Sequence, residues 1–384
     1  MPDRLRGLAL LGIVVVNAPF MAISTTGFTA GSIATWWDRA AAFAVTALAQ
    51  GKFYLLFSFL FGYSAAFLLR DGGRPRRATY RRRLLGLAAI GFLHAILFFV
   101  GDILLSYAVL GIGIVAVYRR SDRVVTAAAI VSMTVATLWL VLLVVASFAA
   151  DEDPAATSDL FSASIDSLNA ALAHGSFLDA ALARLRALPT VLLTLGSLNW
   201  GFALSAFFVG LLAARRQLLA DPAMHERLWR RLALWGIGIG LPLQLVSAAI
   251  VVSTLSTDGI ATSGANVAGL ALGFISAPLL SSGYVGALAL LIVHRPTALR
   301  WAGAAGRSSL SLYISESVVL SFVYSGYGLG LFGELGALAV TVSAILTWLC
   351  LELVARWWLG RNPQGPLEAV LGAWTHGRVF GPQP

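Results

Sequence analysis

The sequence predicts an all-α protein, a polytopic integral membrane helix bundle of about ten transmembrane helices with both termini in the cytoplasm. Three observations carry that prediction. Of the 384 residues, 58% are hydrophobic and only 12% are charged, with a mean hydropathy of +0.82. A soluble domain carries roughly a quarter of charged residues, about twice that share. Apolar runs recur along the chain, and a run of about 18 residues or more crosses a ~30 Å hydrocarbon core. The arginines alternate with those runs. Segments 1–6, 70–83, 119–123, 215–231, 295–307 and 356–378 hold 23 of the 26 arginines, and the remaining segments hold only Arg39, Arg184 and Arg186. Cytoplasmic loops accumulate basic residues, so the rich segments face inward.

The first span is expected from Arg6 to Ile23, retained because no small-residue cleavage site follows it. The mixed stretch 24–51 carries Trp36 and Trp37 ahead of an alanine-rich run, which predicts a helix lying at headgroup depth. The second span is Phe53 to Leu69, followed by a basic loop, 70–83, with seven arginines. Spans three and four are Leu84 to Val100 and Ile103 to Tyr118, joined by a tight turn at Gly101-Asp102. Span five is Val124 to Ala149. Segment 150–187 reads as an extracytoplasmic loop, acidic at first (Asp151, Glu152, Asp153, Asp159, Asp166), then one or two amphipathic helices over 160–186. Pro189 to Ala213, Leu232 to Ser253 and a stretch within 266–293 supply spans six to eight. Pro278 leaves the eighth open as one kinked helix or a broken one. Ser309 to Tyr327 and Leu335 to Trp357 complete the ten, with a short polar tail after them. The chain is one transmembrane domain over 1–384, without internal repeat. Cysteines placed at Gly73 and Ser158 should therefore label from opposite sides.

Composition excludes several function classes. The net charge of +9 sits in short loops between apolar runs, where it encodes topology rather than nucleic-acid binding. One cysteine, Cys350, rules out a disulfide framework or a cysteine metal site. No P-loop, dinucleotide fingerprint, metal-ligand spacing or G-x-S-x-G motif occurs.

Chemistry must then come from polar groups that the bilayer tolerates only at a cost of several kcal/mol unless paired or hydrated. His94 lies in span three, Glu316 in span nine, Glu352 near the cytoplasmic end of span ten, Asn17 within span one, and Lys52 and Asp102 at outer edges. A neutral imidazole at His94 can act as a base or attack a thioester, or it can simply bond a neighbouring helix. Asp102 caps the helix that it begins, pairs with Lys52, or orients a substrate hydroxyl. A direct His94–Asp102 bond is not implied, because eight residues of continuous helix span ~12 Å. Lys52 snorkels or faces a cavity, and Glu316 pairs with an arginine or titrates in a cavity. Arg6, Arg215 and Arg307 border spans and suit bidentate contact with phosphate.

Several segments resemble the YeiB family of bacterial polytopic membrane proteins. They are Asp3-Arg4-Leu5-Arg6-Gly7-Leu8-Ala9-Leu10-Leu11-Gly12-Ile13 running on to Asn17, and Gly51-Lys52-Phe53-Tyr54-Leu55-Leu56-Phe57-Ser58-Phe59-Leu60-Phe61-Gly62. They continue with His94 and Gly101-Asp102-Ile103-Leu104 with Tyr107, Gly306-Arg307 with Tyr313 and Ser317, and Gly365-Pro366-Leu367-Glu368. The family-type C-terminal segment covers about 225–380. YeiB-like proteins are in turn similar to transmembrane acyltransferases of the acyltransferase-3 and heparan-α-glucosaminide N-acetyltransferase types, which share an arginine followed eleven residues later by a polar residue. Here that residue is Asn17, where acyltransferase-3 proteins have histidine. A second histidine of that family would fall near Glu316 and is also replaced, which puts the base in doubt and leaves His94 as the substitute.

The resemblance implies a multi-pass protein of the bacterial cytoplasmic membrane. It would move an acyl group from cytoplasmic acyl-CoA or acetyl-CoA, a co-substrate rather than a resident cofactor, to an outer-face or lipid-linked acceptor. Arg6, Arg215 and Arg307 would hold the phosphates, with His94 as base and Asp102 and Lys52 on the acceptor side. The alternative is a transporter, lipid-handling or scaffold protein whose cavity of Asn17, His94 and Glu316 binds membrane lipids or a small molecule without chemistry.

Overall fold

A computed structural model describes residues 1–69, 74–151, 159–255 and 263–376, and among these the regular structure is helical throughout. The expected labelling positions Gly73 and Ser158, the acidic pair Glu152 and Asp153, and the start of the basic segment at Arg70 lie outside the described residues.

The helix α1, Pro2–Ala22, begins on a proline whose missing N–H is one of the donors a helix start leaves free anyway. It is the most deeply buried of the long apolar helices and stands at the centre of the main hydrophobic cluster. After it come α2 (Trp36–Leu48), capped by the Thr35 hydroxyl, and α3 (Lys52–Leu69). Trp36 and Trp37 are more than half exposed on α2, as aromatic residues at a headgroup boundary would be.

The helix α4 spans Arg74–Leu97, so the described part of the expected 70–83 loop is helical. Pro75 at the second position suits a helix start, and arginines after it favour continuation. A short reversal leads to α5, Ile103–Val117, and then to α6, Asp122–Asp151. The face of α6 carrying Ile130, Val131, Leu138 and Leu142 is exposed, which fits a helix lying against lipid.

The amphipathic reading of 160–186 yields α7, Asp159–His174, and α8, Phe177–Leu195, where a reciprocal capping box between Ser176 and Asp179 starts the second helix. Span six therefore does not begin at Pro189. That proline lies inside α8, which runs through a π-helical turn, Gly196–Trp200, into α9, Gly201–Arg215. The π turn loosens the backbone ladder, and the Asn199 carbonyl accepts the Tyr54 hydroxyl at 2.8 Å.

The pair α10 (Glu226–Ser253) and α11 (Gly264–His294) packs through small residues. Side chains added at Gly236, Gly240, Gly283 or Gly286 would collide with the facing backbone, the membrane solution for close helix approach. Pro278 lies within α11, which is one unbroken helix. The short α12 (Gly303–Arg307) precedes α13 (Ser309–Tyr324) and α14 (Ala337–Leu359). Instead of a polar tail, α15 (Pro366–His376) packs back against α4 and α13. Trp374 donates its indole N–H to the Arg82 carbonyl at 2.9 Å.

Among the described residues, seven helical stretches are long and apolar enough to cross a membrane, and α5 and α13 are shorter apolar helices. The protein is thus an all-α, multi-pass membrane bundle.

Candidate functional site

The end of α4 and the start of α5 form the first site. The Phe98 and Phe99 amides bond back to the His94 carbonyl at 2.9 and 3.0 Å, ending the helix one turn after the imidazole. The chain then reverses through Val100 and Gly101, and Asp102 caps α5 by accepting the Leu105 amide at 2.7 Å. The expected capping role of Asp102 is present. The reversal also folds Asp102 back onto His94, so the bond that a continuous helix would forbid is made. His94 Nδ1 and Asp102 Oδ2 are 2.7 Å apart, with both side chains 1% exposed.

With the carboxylate accepting, the imidazole proton resides on Nδ1 and a lone pair remains on Nε2. That Nε2 is buried and has no hydrogen-bond partner among the described residues. The Tyr313 ring centroid stands 5.1 Å from the imidazole, and the Tyr313 hydroxyl accepts the Ile103 amide at 3.2 Å. Asp102 and Tyr313 together satisfy two first-turn donors of α5 that would otherwise be orphaned.

The α7–α8 hairpin covers this end of α4. Buried Arg184 of α8 donates to the Leu97 carbonyl at 2.8 Å and to the Tyr327 hydroxyl at 3.2 Å, a cation placed on a helix C-terminus.

The remaining candidates distribute unevenly. Glu316, one turn beyond Tyr313, is buried with Oε1 unpartnered, so of its two expected roles the arginine pair is not formed among the described residues. Glu352 instead accepts the Ala305 amide at 2.6 Å and the Arg356 guanidinium at 3.0 Å, which fixes α12 against α14. Asn17 is half-buried on α1. Lys52 does not snorkel and does not pair with Asp102. It is 1% exposed, and its Nζ donates to the Thr46 carbonyl at 2.8 Å.

Of the three arginines expected to hold phosphate, Arg215 is committed to Asp122 at 2.6 Å and to the Tyr118 carbonyl at 2.6 Å. Arg307 is exposed. Arg6 bonds Asp3 at 3.0 Å and the Ser64 hydroxyl. Beside it stands Arg83 of α4, which lies within electrostatic reach of Arg6 and Glu368 and makes no hydrogen bond to the described residues.

Sequence reasoning missed Arg83 because it sits among seven arginines, yet a signal was available. Arg83 and His94 are eleven residues apart on one helix, so they share a face about 16 Å apart along it. The same spacing on α1 separates Arg6 from Asn17.

The segments that carry the family resemblance meet at two places. Near His94, the Ser58 and Tyr107 hydroxyls are 2.6 Å apart, and Tyr107 also donates to the Tyr54 carbonyl at 3.1 Å. At the arginine-rich end, a side chain at Gly306 would overlap the Asp3 carbonyl, and one at Gly7 would overlap that of Ala302. Glu368 caps α13 there, accepting the Leu310 amide at 2.6 Å, the Ser311 amide at 3.3 Å and the Ser311 hydroxyl at 2.5 Å.

Comparison with known proteins agrees with this convergence. The family model described as protein of unknown function DUF418 matches residues 213–378. Uncharacterized protein YxaH of Bacillus subtilis (strain 168) is 28% identical over 391 residues, covering 95% of this chain and 91% of its own. Uncharacterized protein YeiB of Escherichia coli (strain K12) is 34% identical over 119 residues, 29% of this chain and 28% of its own. An uncharacterized 39.9 kDa protein of Bacillus acidopullulyticus is 34% identical over 126 residues, 32% of this chain and 34% of its own. No solved structure matches significantly. With a family model over its C-terminal part and a relative along nearly its whole length, the chain is similar to the uncharacterized proteins YxaH and YeiB, and its apolar helices make it a multi-pass membrane protein.

Proposed function

We propose that this protein is a membrane-embedded acyltransferase of the bacterial cytoplasmic membrane, using cytoplasmic acyl-CoA or acetyl-CoA to acylate an outer-face or lipid-linked acceptor. The observation that supports it is the buried His94–Asp102 pair, with a proton on Nδ1 and a free lone pair on Nε2. Carboxylate, imidazole and an unoccupied Nε2 make up the arrangement of a general base. In the reaction, an acceptor hydroxyl gives its proton to Nε2 as its oxygen attacks the thioester carbonyl carbon. A C–O bond forms, the C–S bond breaks, and the proton passes from Nε2 to the departing CoA thiolate.

The donor would enter from the arginine-rich end. Arg6, paired with Asp3, and Arg83, which has Glu368 in electrostatic reach but no hydrogen bond to the described residues, suit the CoA phosphates better than Arg215, which two internal partners already occupy. The ~16 Å separation of Arg83 from His94 along α4 is of the order of an extended pantetheine arm. Arg307, exposed at the same end, could add a further contact.

A second reading is binding or transport without chemistry. It draws support from an open cleft near Lys52 that none of Asn17, His94 or Glu316 lines.

Calorimetry of the purified protein with acetyl-CoA and CoA separates the two. Micromolar to millimolar binding that weakens tenfold or more in Arg83→Ala is expected, since a charge-assisted bond is worth about 1.5–3 kcal/mol. No binding to the wild type at millimolar CoA removes the enzyme reading and leaves the second.

A further inference from the structure

We infer that Lys52 and Gln244 form the floor of a binding site for an acidic, hydroxyl-bearing amphiphile at the end of the bundle remote from the arginine clusters. There α1 and α10 end, α3 and α11 begin, and a cleft of about 70 Å³ opens between them. Its wall is apolar, with Val16, Phe20, Phe28, Val45, Val252 and Leu270. A smaller void adjoins it, sharing Thr46, Gln50 and Leu270, and carries Lys52, Gln244 and Ser247.

Two groups on that floor are incompletely satisfied among the described residues. Lys52 carries three donors, yet it makes one side-chain bond, to Thr46, and no carboxylate lies within ion-pair distance among the described residues. Gln244, 1% exposed, spends its Nε2 on the Gly273 carbonyl at 2.6 Å and the Ser276 hydroxyl at 2.9 Å, and its Oε1 has no donor. A buried ammonium without a counter-charge and a buried carbonyl without a donor are each costly. Both are satisfied by one headgroup that offers an anionic oxygen to Lys52 and a hydroxyl to Gln244.

The backbone holds Lys52 at this place. Gly51 adopts φ 83°, a conformation that side-chain-bearing residues rarely take, and a Cβ there would press on Ala277. The turn makes Lys52 the first residue of α3, so the positive end of that helix adds to the ammonium. The apolar wall above the floor takes the ligand's chain. This site shares no residue with the His94 centre or with Arg6 and Arg83, and the inference does not rest on acyl transfer.

The test uses full-length protein in dodecyl maltoside, titrated by calorimetry with short-chain phosphatidylglycerol and with 3-hydroxydecanoate. Saturable one-to-one binding of either is expected, weakened tenfold or more by Lys52→Met and at least threefold by Gln244→Leu. Binding of the first alone identifies a bilayer lipid as the source, and binding of the second alone identifies a soluble hydroxy acid. The inference is overturned if neither binds saturably, or if Lys52→Met leaves affinity unchanged. It also fails if uncharged 1-decanol or donor-free short-chain phosphatidylcholine binds the wild type as tightly, a comparison that needs no variant to fold.

Discussion

At the scale of single residues, the His94–Asp102 contact carries most of the chemical argument, and one substitution separates its two roles. Asp102 does two things with two oxygens: Oδ1 caps α5 through Leu105, and Oδ2 bonds His94. Asparagine is as good an N-cap as aspartate, so Asp102→Asn keeps the cap and the fold. Its amide, however, presents N–H to Nδ1, which forces the imidazole proton onto Nε2 and removes the base. Comparable tautomer reversal in a catalytic triad costs about 10⁴ in rate. Acyl transfer in Asp102→Asn should therefore fall by at least about two orders of magnitude, with thermal stability and CoA affinity near wild type. Turnover that survives Asp102→Asn while the melting point drops would make the pair a structural clamp only. A parallel His94→Asn variant should lose transfer as well, at a stability cost near the ~0.6 kcal/mol typical of interhelical bonds.

At the scale of elements, helix ends decide more than helix middles. Glu368 of α15 accepts two amides and a hydroxyl at the start of α13, so the C-terminal helix supplies the cap of the helix that carries Tyr313 and Glu316. Glu368→Ala leaves those donors unpaired in a half-buried site. It should destabilise the protein by about 2 kcal/mol or more, judged from caps at 0.5–2 and charged hydrogen bonds at 1.5–3 kcal/mol. Glu368→Gln, which keeps an acceptor, should lose less than half as much in a thermal melt. Identical melts for Glu368→Ala and wild type would show that α15 merely rests on α13. This element also marks where sequence reading stops. Apolar runs and arginine spacing placed most of the apolar helices, because length and hydropathy are local properties, but α4, α8 and α10 begin ten, twelve and six residues before the expected spans. The His94–Asp102 bond was not legible, since it depends on a five-residue reversal whose direction no periodicity encodes. The burial of Lys52 was hidden for the same reason: a single positive φ at Gly51 turns a residue that reads as snorkelling into the core. The polar-looking tail concealed α15, whose cap contacts lie 57 and 58 residues away in sequence.

At the scale of the whole molecule, the ten-span arrangement with both ends inside, expected from the sequence, assigns sides to the bundle. The arginine clusters lie at the starts of α1, α4, α6 and α10 and at or after the ends of α11 and α14, so they gather at one end of the bundle if successive spans alternate. The same alternation places the α7–α8 hairpin and the Lys52 cleft at the other end. Reversing it would carry 23 arginines across a potential that opposes positive charge moving outward, at about 2.3 kcal/mol per charge per 100 mV. Arg184 is no exception to the rule, because its charge is spent on the Leu97 carbonyl and Tyr327 rather than on setting orientation. Sidedness can be read at described, exposed positions: Ser121 between α5 and α6, and Ser167 on α7. In a Cys350→Ser background, Ser167→Cys should react with an impermeant thiol reagent applied to intact cells. Ser121→Cys should react only after the membrane is opened. Labelling of both from one side would break the alternation between α5 and α7. It would also put the roof of the His94 site and the Arg83 end in one compartment, and a donor entering opposite its acceptor would no longer be possible.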